Sequence, residues 1–537
     1  MSQHRHGSLG SLGRFHETTR RVAPPTPQNM EDPAMVLHKS FSRSALAFLA
    51  LAVVLCCGQA GFAAEKQAKY VFFIIGDGMA QPQRTSTEMF LAAREGKPHG
   101  TVKLSMSKLP AQGMMTTHAA NSIIPDSADT ATAMACGVKT NSGMLGVTPD
   151  NKAVKNVAEL AKEKGKKVGI ISTVSIDHAT PGGFYAHQES RDNYHEIAHE
   201  LVKSGFDFFG GGGFKDPEGK KSKAPQGNAI EAAKAAGYKV VTGKEGFEKI
   251  TKNDGKVIVI NEWLQDSKAM PYLIDRTVKD MSLADLVAKA AEVLDGPQGF
   301  FIMAEGGKVD WACHANDAAG AIGDVLDVDA AVDVALAFQK KHPDETLILV
   351  TGDHECGGLT IGFAGTKYAS FYHVLTGQKM SFQAFTDKMA EFKKNCGQNC
   401  SFDAVKPVIE ESFGLKFAGD AKDAAVLKEF EVAKIKEAFD LYMAATEDAK
   451  GYGADGKDPQ AYLLYGGYNP LSVTITHLLN QKAGLGWTSY SHTGVPVTVS
   501  AEGAGAAAFN GFYDNTDIAK KLKAAMGMPD TVKMAAN

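Results

Sequence analysis

The chain has 537 residues, 44% hydrophobic and 22% charged, with a formal net charge of −4. That composition is globular and long enough for one large domain with insertions or for two to three domains. It carries no overall basic field that would call for nucleic acid, and seven cysteines over this length are not a disulfide framework.

In chain order, residues 1–34 are polar and rich in His, Arg and Pro, and read as a disordered extension. Met35 opens a different pattern: Lys39, Arg43, the apolar run "ALAFLALAVVLCC" and the small-residue end "GQAGFAAEK". Basic start, short apolar middle and small-residue end predict a secretory signal over residues 35–64, cleaved before Ala64, with Met35 as the true start. The product would be periplasmic or secreted. An anchored membrane helix is the competing reading, against which the run is short. Lipid attachment at Cys56 or Cys57 is disfavoured by bulky Leu55. Of the remaining cysteines, Cys136, Cys313, Cys356, Cys396 and Cys400, the last two are spaced for a local bridge or stand as free thiols.

Residues 65–537 are expected to form the working domain. Four short, branched or aromatic runs bounded by glycine predict buried strands: "KYVFFII" (69–75), "KKVGIIS" (166–172), "GFFIM" (299–303) and "TLILVT" (346–351). Helical patterns at 153–165 and 284–294 precede two of them. "PDSADTATAMACG" reads as a helix starting at Ser127 and closed by Gly137. "DFFGGGGF" (207–214) lacks the Lys-Ser/Thr ending of a phosphate loop and reads as a flexible turn. The fold class is α/β, a mostly parallel central sheet with helices on both faces. Residues 366–470 fit that core poorly and read as an inserted cap, with an amphipathic helix at 431–445.

The strand ends carry the chemistry. Asp77 follows the first strand, His178 and Thr180 the second, Glu305 the third, and Asp353 with His354 the fourth. In such sheets ligands bind beyond the carboxyl ends of the strands. Oxygen and imidazole donors converging there suit divalent metals. In "KVDWACHAND", Asp310 and His314 are four apart and share a helical face, which suits either one metal or a surface pair. His492 precedes a strand-like run, where a lone histidine is more often structural. Ser127 and Asp126 are good cap residues, and a helix start also suits an attacking oxygen and an anionic substrate. The two readings are compatible.

Taken in order, "FFIIGDGM", "PDSADTATAMACGVKT", "DHATPGGFYAHQESR", "AEGGKVDWACHAND", "VTGDHECGG" and "SHTGVPVTVSAEG" resemble the alkaline phosphatase family over residues 69 to about 503. The resemblance implies a phosphate monoester hydrolase with an alkaline optimum and Ser127 as the phosphorylated nucleophile. It implies zinc at Asp310, His314 and His492, and a second zinc at Asp77, Asp353 and His354 that also meets the Ser127 oxygen. A magnesium-type site is implied at Asp77, Thr180 and Glu305, with Arg191 gripping phosphate and Asp126 positioning it. A homodimer, small phosphate monoesters as substrates and no membrane span in the mature protein are implied as well. His178 and Trp311 depart from the best-known bacterial pattern, which has Asp and Lys there. The departure implies a third site that binds magnesium weakly or accepts zinc, and weaker product binding. A phosphodiesterase of the same superfamily and a non-catalytic zinc- or phosphate-binding protein are the alternatives.

Overall fold

Ten strands form one sheet: β1 (Tyr70–Gly76), β2 (Ala111–Thr116), β3 (Lys167–Ser172), β4 (Phe208–Gly211), β5 (Tyr238–Thr242), β6 (Lys256–Ile260), β7 (Phe300–Gly306), β8 (Thr346–Gly352), β9 (Val497–Gly503) and β10 (Gly511–Asp514). The computed structural model describes residues 67–396, 400–445 and 458–535. The extension and signal segment expected over residues 1–64 lie outside the described residues, and no described helix is long and apolar enough to cross a membrane. The sheet order is β10-β2-β9-β8-β1-β7-β3-β4-β6-β5. Every pairing is parallel except those of β9 with β2 and β8.

The four strands expected from the sequence are four adjacent members of this sheet, and β1, β7 and β8 are buried along their whole length. Alternation explains why these runs are continuously apolar. Val71, Phe73 and Ile75 enter one core cluster, whereas Phe72 and Ile74 enter another on the opposite face. Helices cover both faces. Those used below are α1 (Ser127–Cys136), α2 (Val157–Glu163), α3 (Leu283–Leu294), α4 (Lys308–His314) and α5 (Ala318–Gln339).

Two expectations need correction in detail. The helix expected at 153–165 begins only at Val157, because Asn156 caps it through Ala158 N and Glu159 N. Ala153 and Val154 instead bridge to Val147 and Met534. The segment 207–214 is not simply a turn: Phe208–Gly211 is a fully buried strand between β3 and β6. Gly211 has room for no side chain there, since an added Cβ would lie 1.7 Å from the Ser172 carbonyl oxygen.

Within residues 366–470, helices Phe382–Cys396, Phe402–Phe413 and Glu429–Ala444 contribute to a third apolar cluster that includes Phe385, Ile409, Phe413 and Ile435, and a short helix, Pro459–Tyr465, follows them. The helix read at 431–445 is the third of these, and its buried face holds Ile435, Ala438 and Phe439. Cys396 and Cys400 are joined in a disulfide.

Parallel register brings the chemistry to one edge. Ile75 of β1 pairs with Glu305 of β7, and Gly76 pairs with both Gly306 and Gly352. Ser172 of β3 pairs with Glu305. Residues 77, 305 and 353 therefore leave the sheet side by side.

Candidate active site

Ser127 is the first residue of α1, and its surroundings follow from the cap. Asp126 has extended backbone (φ −115°, ψ 169°) and accepts from Ala128 N at 2.7 Å and Asp129 N at 3.3 Å. Asp129 reciprocates by accepting from Asp126 N at 2.8 Å. Gly137 closes the helix with a left-handed φ of 77°. This fixes Ser127 Oγ 3.2 Å from His354 Nε2 and 3.4 Å from Asp77 Oδ2, on the positive end of the helix.

Two donor groups flank it. In the first, one ligand atom each of Asp77, Asp353 and His354 lies within 4.8 Å of the others. His354 Nε2 is 3.2 Å from Asp77 Oδ1 and 3.3 Å from Asp353 Oδ2. In the second, the same limit encloses Asp310, His314, His492 and Cys356. One helical turn of α4 puts His314 Nε2 3.2 Å from Asp310 Oδ2, and His492 Nε2 is 3.5 Å from Asp310 Oδ1. The rings of His354 and His492 stack at 3.6 Å, so the groups adjoin.

The donor chemistry of the second group suits a cation. His314 Nδ1 donates to the Tyr490 carbonyl at 2.6 Å, and His492 Nδ1 donates to the Pro125 carbonyl at 2.8 Å. With those protons placed, the lone pairs of both Nε2 atoms face each other across 3.1 Å, next to a carboxylate. Acceptors gathered without a donor in a buried site are unfavourable unless a positive ion sits among them. Asp310 Oδ1, Glu305 Oε1 and Thr180 Oγ1 are likewise buried without a hydrogen-bond partner.

The electrostatics agree. Burial, then Asp353, Asp310 and Glu305, push the Asp77 carboxyl well above the usual carboxylate range, and Arg191 is the cation opposing them. Burial, with Asp353 adding to it, raises Glu305 to about 7, and burial with Asp310 raises Asp353 to about 6. Asp310 is buried as well, and protonated His314 and His492 hold it well below its ordinary value; that protonation is the alternative to neutral rings with facing lone pairs.

The remaining expected residues lie beside these groups. Glu305 accepts a short hydrogen bond from Ser172 Oγ. Arg191 Nη1 is 3.4 Å from Asp126 Oδ2, and its Nη2 donates to His178 Nε2 at 3.3 Å. Burial, then Arg191, keep His178 neutral by lowering it well below the usual imidazole range. Trp311 meets the His178 ring edge-on at 5.8 Å. Lys308 Nζ lies over the Trp311 ring at 4.7 Å but is held by Asp266 at 2.6 Å.

Several participants were not read from the sequence. Thr130 Oγ1 donates to Asp353 Oδ2 at 3.1 Å, and Gly78 N donates to Asp353 Oδ1 at 3.0 Å. Thr130 carried a usable signal, being three residues after Ser127 and thus on the same helical face. The Pro125 and Tyr490 carbonyls and Cys356 gave none, because their places depend on contacts between distant segments.

Comparison with known proteins gives the family. The family model described as alkaline phosphatase matches residues 68–528. Alkaline phosphatase 4 of Bacillus subtilis is 33% identical over 462 residues, covering 84% of this chain and 87% of that protein. Alkaline phosphatase 3 of the same organism is 31% identical, covering 85% and 89%. Among solved structures, the cold-active alkaline phosphatase from a psychrophilic Shewanella is 27% identical with a TM-score of 0.68, covering 85% of this chain and 99% of that one.

Proposed function

The chain belongs to the alkaline phosphatase family, and from that premise we propose that it hydrolyses phosphate monoesters at alkaline pH through a phosphorylated Ser127. The observation that carries the proposal is the position of Ser127 Oγ: at a helix start, within 3.2–3.4 Å of His354 and Asp77, with Arg191 tied to the preceding residue.

Asp310, His314 and His492 would hold one zinc ion, and Asp77, Asp353 and His354 a second. Asp77, Glu305 and Thr180 would hold a third ion of the magnesium type, and His178, being neutral and bound to Arg191, would supply no carboxylate to it. Ions so held would supply Lewis acidity to the attacking and leaving oxygens and lower the proton affinity of the serine hydroxyl.

The chain's own residues do the rest. The Arg191 fork binds two phosphate oxygens, oriented by Asp126. The α1 start directs its partial positive charge at the bound anion, while its Ala128 and Asp129 amides are taken up by the Asp126 cap. Ser127 Oγ attacks phosphorus in line; its bond to phosphorus forms as the ester oxygen departs, and the proton given up by the serine hydroxyl is balanced by the one the departing oxygen takes up as alcohol. Water then attacks the phosphoserine from the vacated side, the proton it gives up is balanced by the one the leaving serine oxygen takes up, and inorganic phosphate is released. Two inversions retain configuration at phosphorus. Export belongs to the same proposal, on the signal pattern at residues 35–63. Residues 366–470 would act as a cap; Tyr490 OH donates to the Leu464 carbonyl at 2.5 Å, linking that region to the loop that orients His314.

The test is acid trapping with radiolabelled phosphate. The label is expected on a peptide containing Ser127 and absent from Ser127→Ala, whose monoester turnover falls on the order of 10³-fold or more. Label on another residue, or a variant retaining near-normal turnover, would overturn the proposal. A diester turned over faster than its monoester would favour the phosphodiesterase alternative.

A further inference from the structure

We propose that Lys308 is a positioning residue for Arg191, acting through two rings: its buried ammonium fixes the Trp311 indole, Trp311 fixes the His178 imidazole, and His178 holds one terminal nitrogen of the guanidinium. The inference rests on the reading of Arg191 as the phosphate-binding side chain, and it adds a residue whose role the motif around it does not reveal.

The helix that carries two metal-type donors carries this pair on its other side. In α4, Asp310 and His314 are four apart and Lys308 and Trp311 three apart, so at about 3.6 residues per turn the two pairs point in nearly opposite directions. Lys308 is fully buried, and its ammonium has three donors to satisfy. One goes to Asp266 Oδ1 at 2.6 Å. Aromatic faces receive the rest of the charge: Nζ lies 3.7 Å from the centre of the Tyr272 ring and 4.7 Å from that of Trp311. Away from water such an attraction gains strength, and here it sets the plane of the indole.

Beyond the indole the contacts run to the phosphate arm. Trp311 meets the His178 ring at 5.8 Å with an interplanar angle of 70°. His178 Nε2 accepts from Arg191 Nη2 at 3.3 Å, which leaves the ring proton on Nδ1, and Nδ1 is buried with no hydrogen-bond partner among the described residues. A ring held by one hydrogen bond can pivot about it, and the Trp311 contact is the restraint that prevents this. Arg191 Nη1 is held separately, by Asp126 at 3.4 Å. The two ends of the fork thus have independent supports, a cap carboxylate for one and an imidazole backed by an indole and an ammonium for the other. Each terminal nitrogen keeps a second N–H for a phosphate oxygen.

Calorimetric binding of inorganic phosphate to the metal-loaded enzyme, read beside steady-state kinetics and zinc analysis, tests the inference. Lys308→Met keeps length and apolar bulk and removes the charge. Its Kd for phosphate and KM for a monoester should each rise about fivefold, with kcat within about twofold of wild type and zinc content unchanged. Lys308→Arg retains the charge and stacks on an indole, so it should recover most of the loss. Trp311→Ala should lose as much phosphate affinity as Lys308→Met, and the double variant no more than Trp311→Ala alone, because the lysine acts through the indole. Additive losses, or wild-type phosphate affinity in Lys308→Met, would overturn the inference and leave the proposed function standing. Loss of zinc in step with phosphate affinity would also overturn it, by tracing the effect to Asp310. Wild-type enzyme that neither hydrolyses a monoester nor binds phosphate would overturn both. Should Lys308→Met fail to fold, Lys308→Gln, which keeps a donor for Asp266 and loses the charge, carries the same outcomes.

Discussion

Asp126 Oδ1 accepts the amide protons of Ala128 and Asp129, while Oδ2 lies 3.4 Å from Arg191 Nη1. One oxygen therefore starts a helix, and the other lies against the Arg191 guanidinium, which on the proposed function is the fork that grips phosphate. Despite its burial, the Arg191 guanidinium and the backbone amides hold this carboxyl below its usual range, so it stays ionised. Asparagine caps a helix as well as aspartate does but has no charge for Arg191. Asp126→Asn should leave stability within about 0.5 kcal/mol of wild type and raise KM for a monoester roughly tenfold, with a smaller change in kcat. Thermal melting together with steady-state kinetics checks both halves. Equal KM in variant and wild type would remove the orienting role, and a large loss of stability would mean that the cap needs the charge.

At the scale of elements, the site depends on how closely β1 and β8 leave the sheet. Gly352 ends β8 opposite Gly76, and a Cβ there would stand 2.1 Å from the Met79 carbonyl oxygen, a backbone atom that cannot swing aside. Gly352→Ala should therefore spread the two strand ends, moving Asp353 and His354 away from Asp77. The expected result is a loss of about 1–3 kcal/mol of stability with weakened metal retention, read by calorimetry and by metal analysis after dialysis. Full metal content at unchanged melting would show that the strand ends tolerate the side chain. Such strand ends are also where the sequence was most legible. β1, β3, β7 and β8 are apolar on both faces and stop at glycine or a polar turn, so their existence and the residues just beyond them could be read directly. β4 escaped because two of its four residues are glycines, which resemble turn chemistry when its neighbours β3 and β6 are out of view. The outer strands β2 and β10 carry half-exposed faces and little apolar signal. The reversed direction of β9 is set by its partners β2 and β8, which its own residues do not encode.

For the molecule as a whole, folding draws Asp77, Glu305, Asp310 and Asp353 into one buried region, with Arg191 as the nearby fixed cation acting on Asp77. The sequence supplied these residues, but their crowding is a property of the assembled sheet: register aligns Ile75, Glu305 and Thr351 in a row, and α1 and α4 close over it. Without positive ions the region holds facing imidazole lone pairs at 3.1 Å and buried carboxylate oxygens with no donor. Those contacts oppose the folded state, and the unfolded chain has none of them. Ions that bind the folded chain alone add stability that grows with the logarithm of their free concentration, about 2.7 kcal/mol per site at a hundredfold excess over Kd. Chelation of the holoenzyme should thus lower the melting temperature by several degrees, on a scale of about 2–4 °C per kcal/mol for a domain of 150–250 residues, and less for a larger one. Zinc added back should restore it. His492→Ala removes one donor from the second group and relieves its lone-pair clash with His314. Its chelator-induced shift should be smaller than that of the wild type, while its metal-free melting should be less depressed. Melting that ignores both chelator and zinc would mean that the gathered acceptors are satisfied in some other way, and the bimetal reading of the site would fall with it.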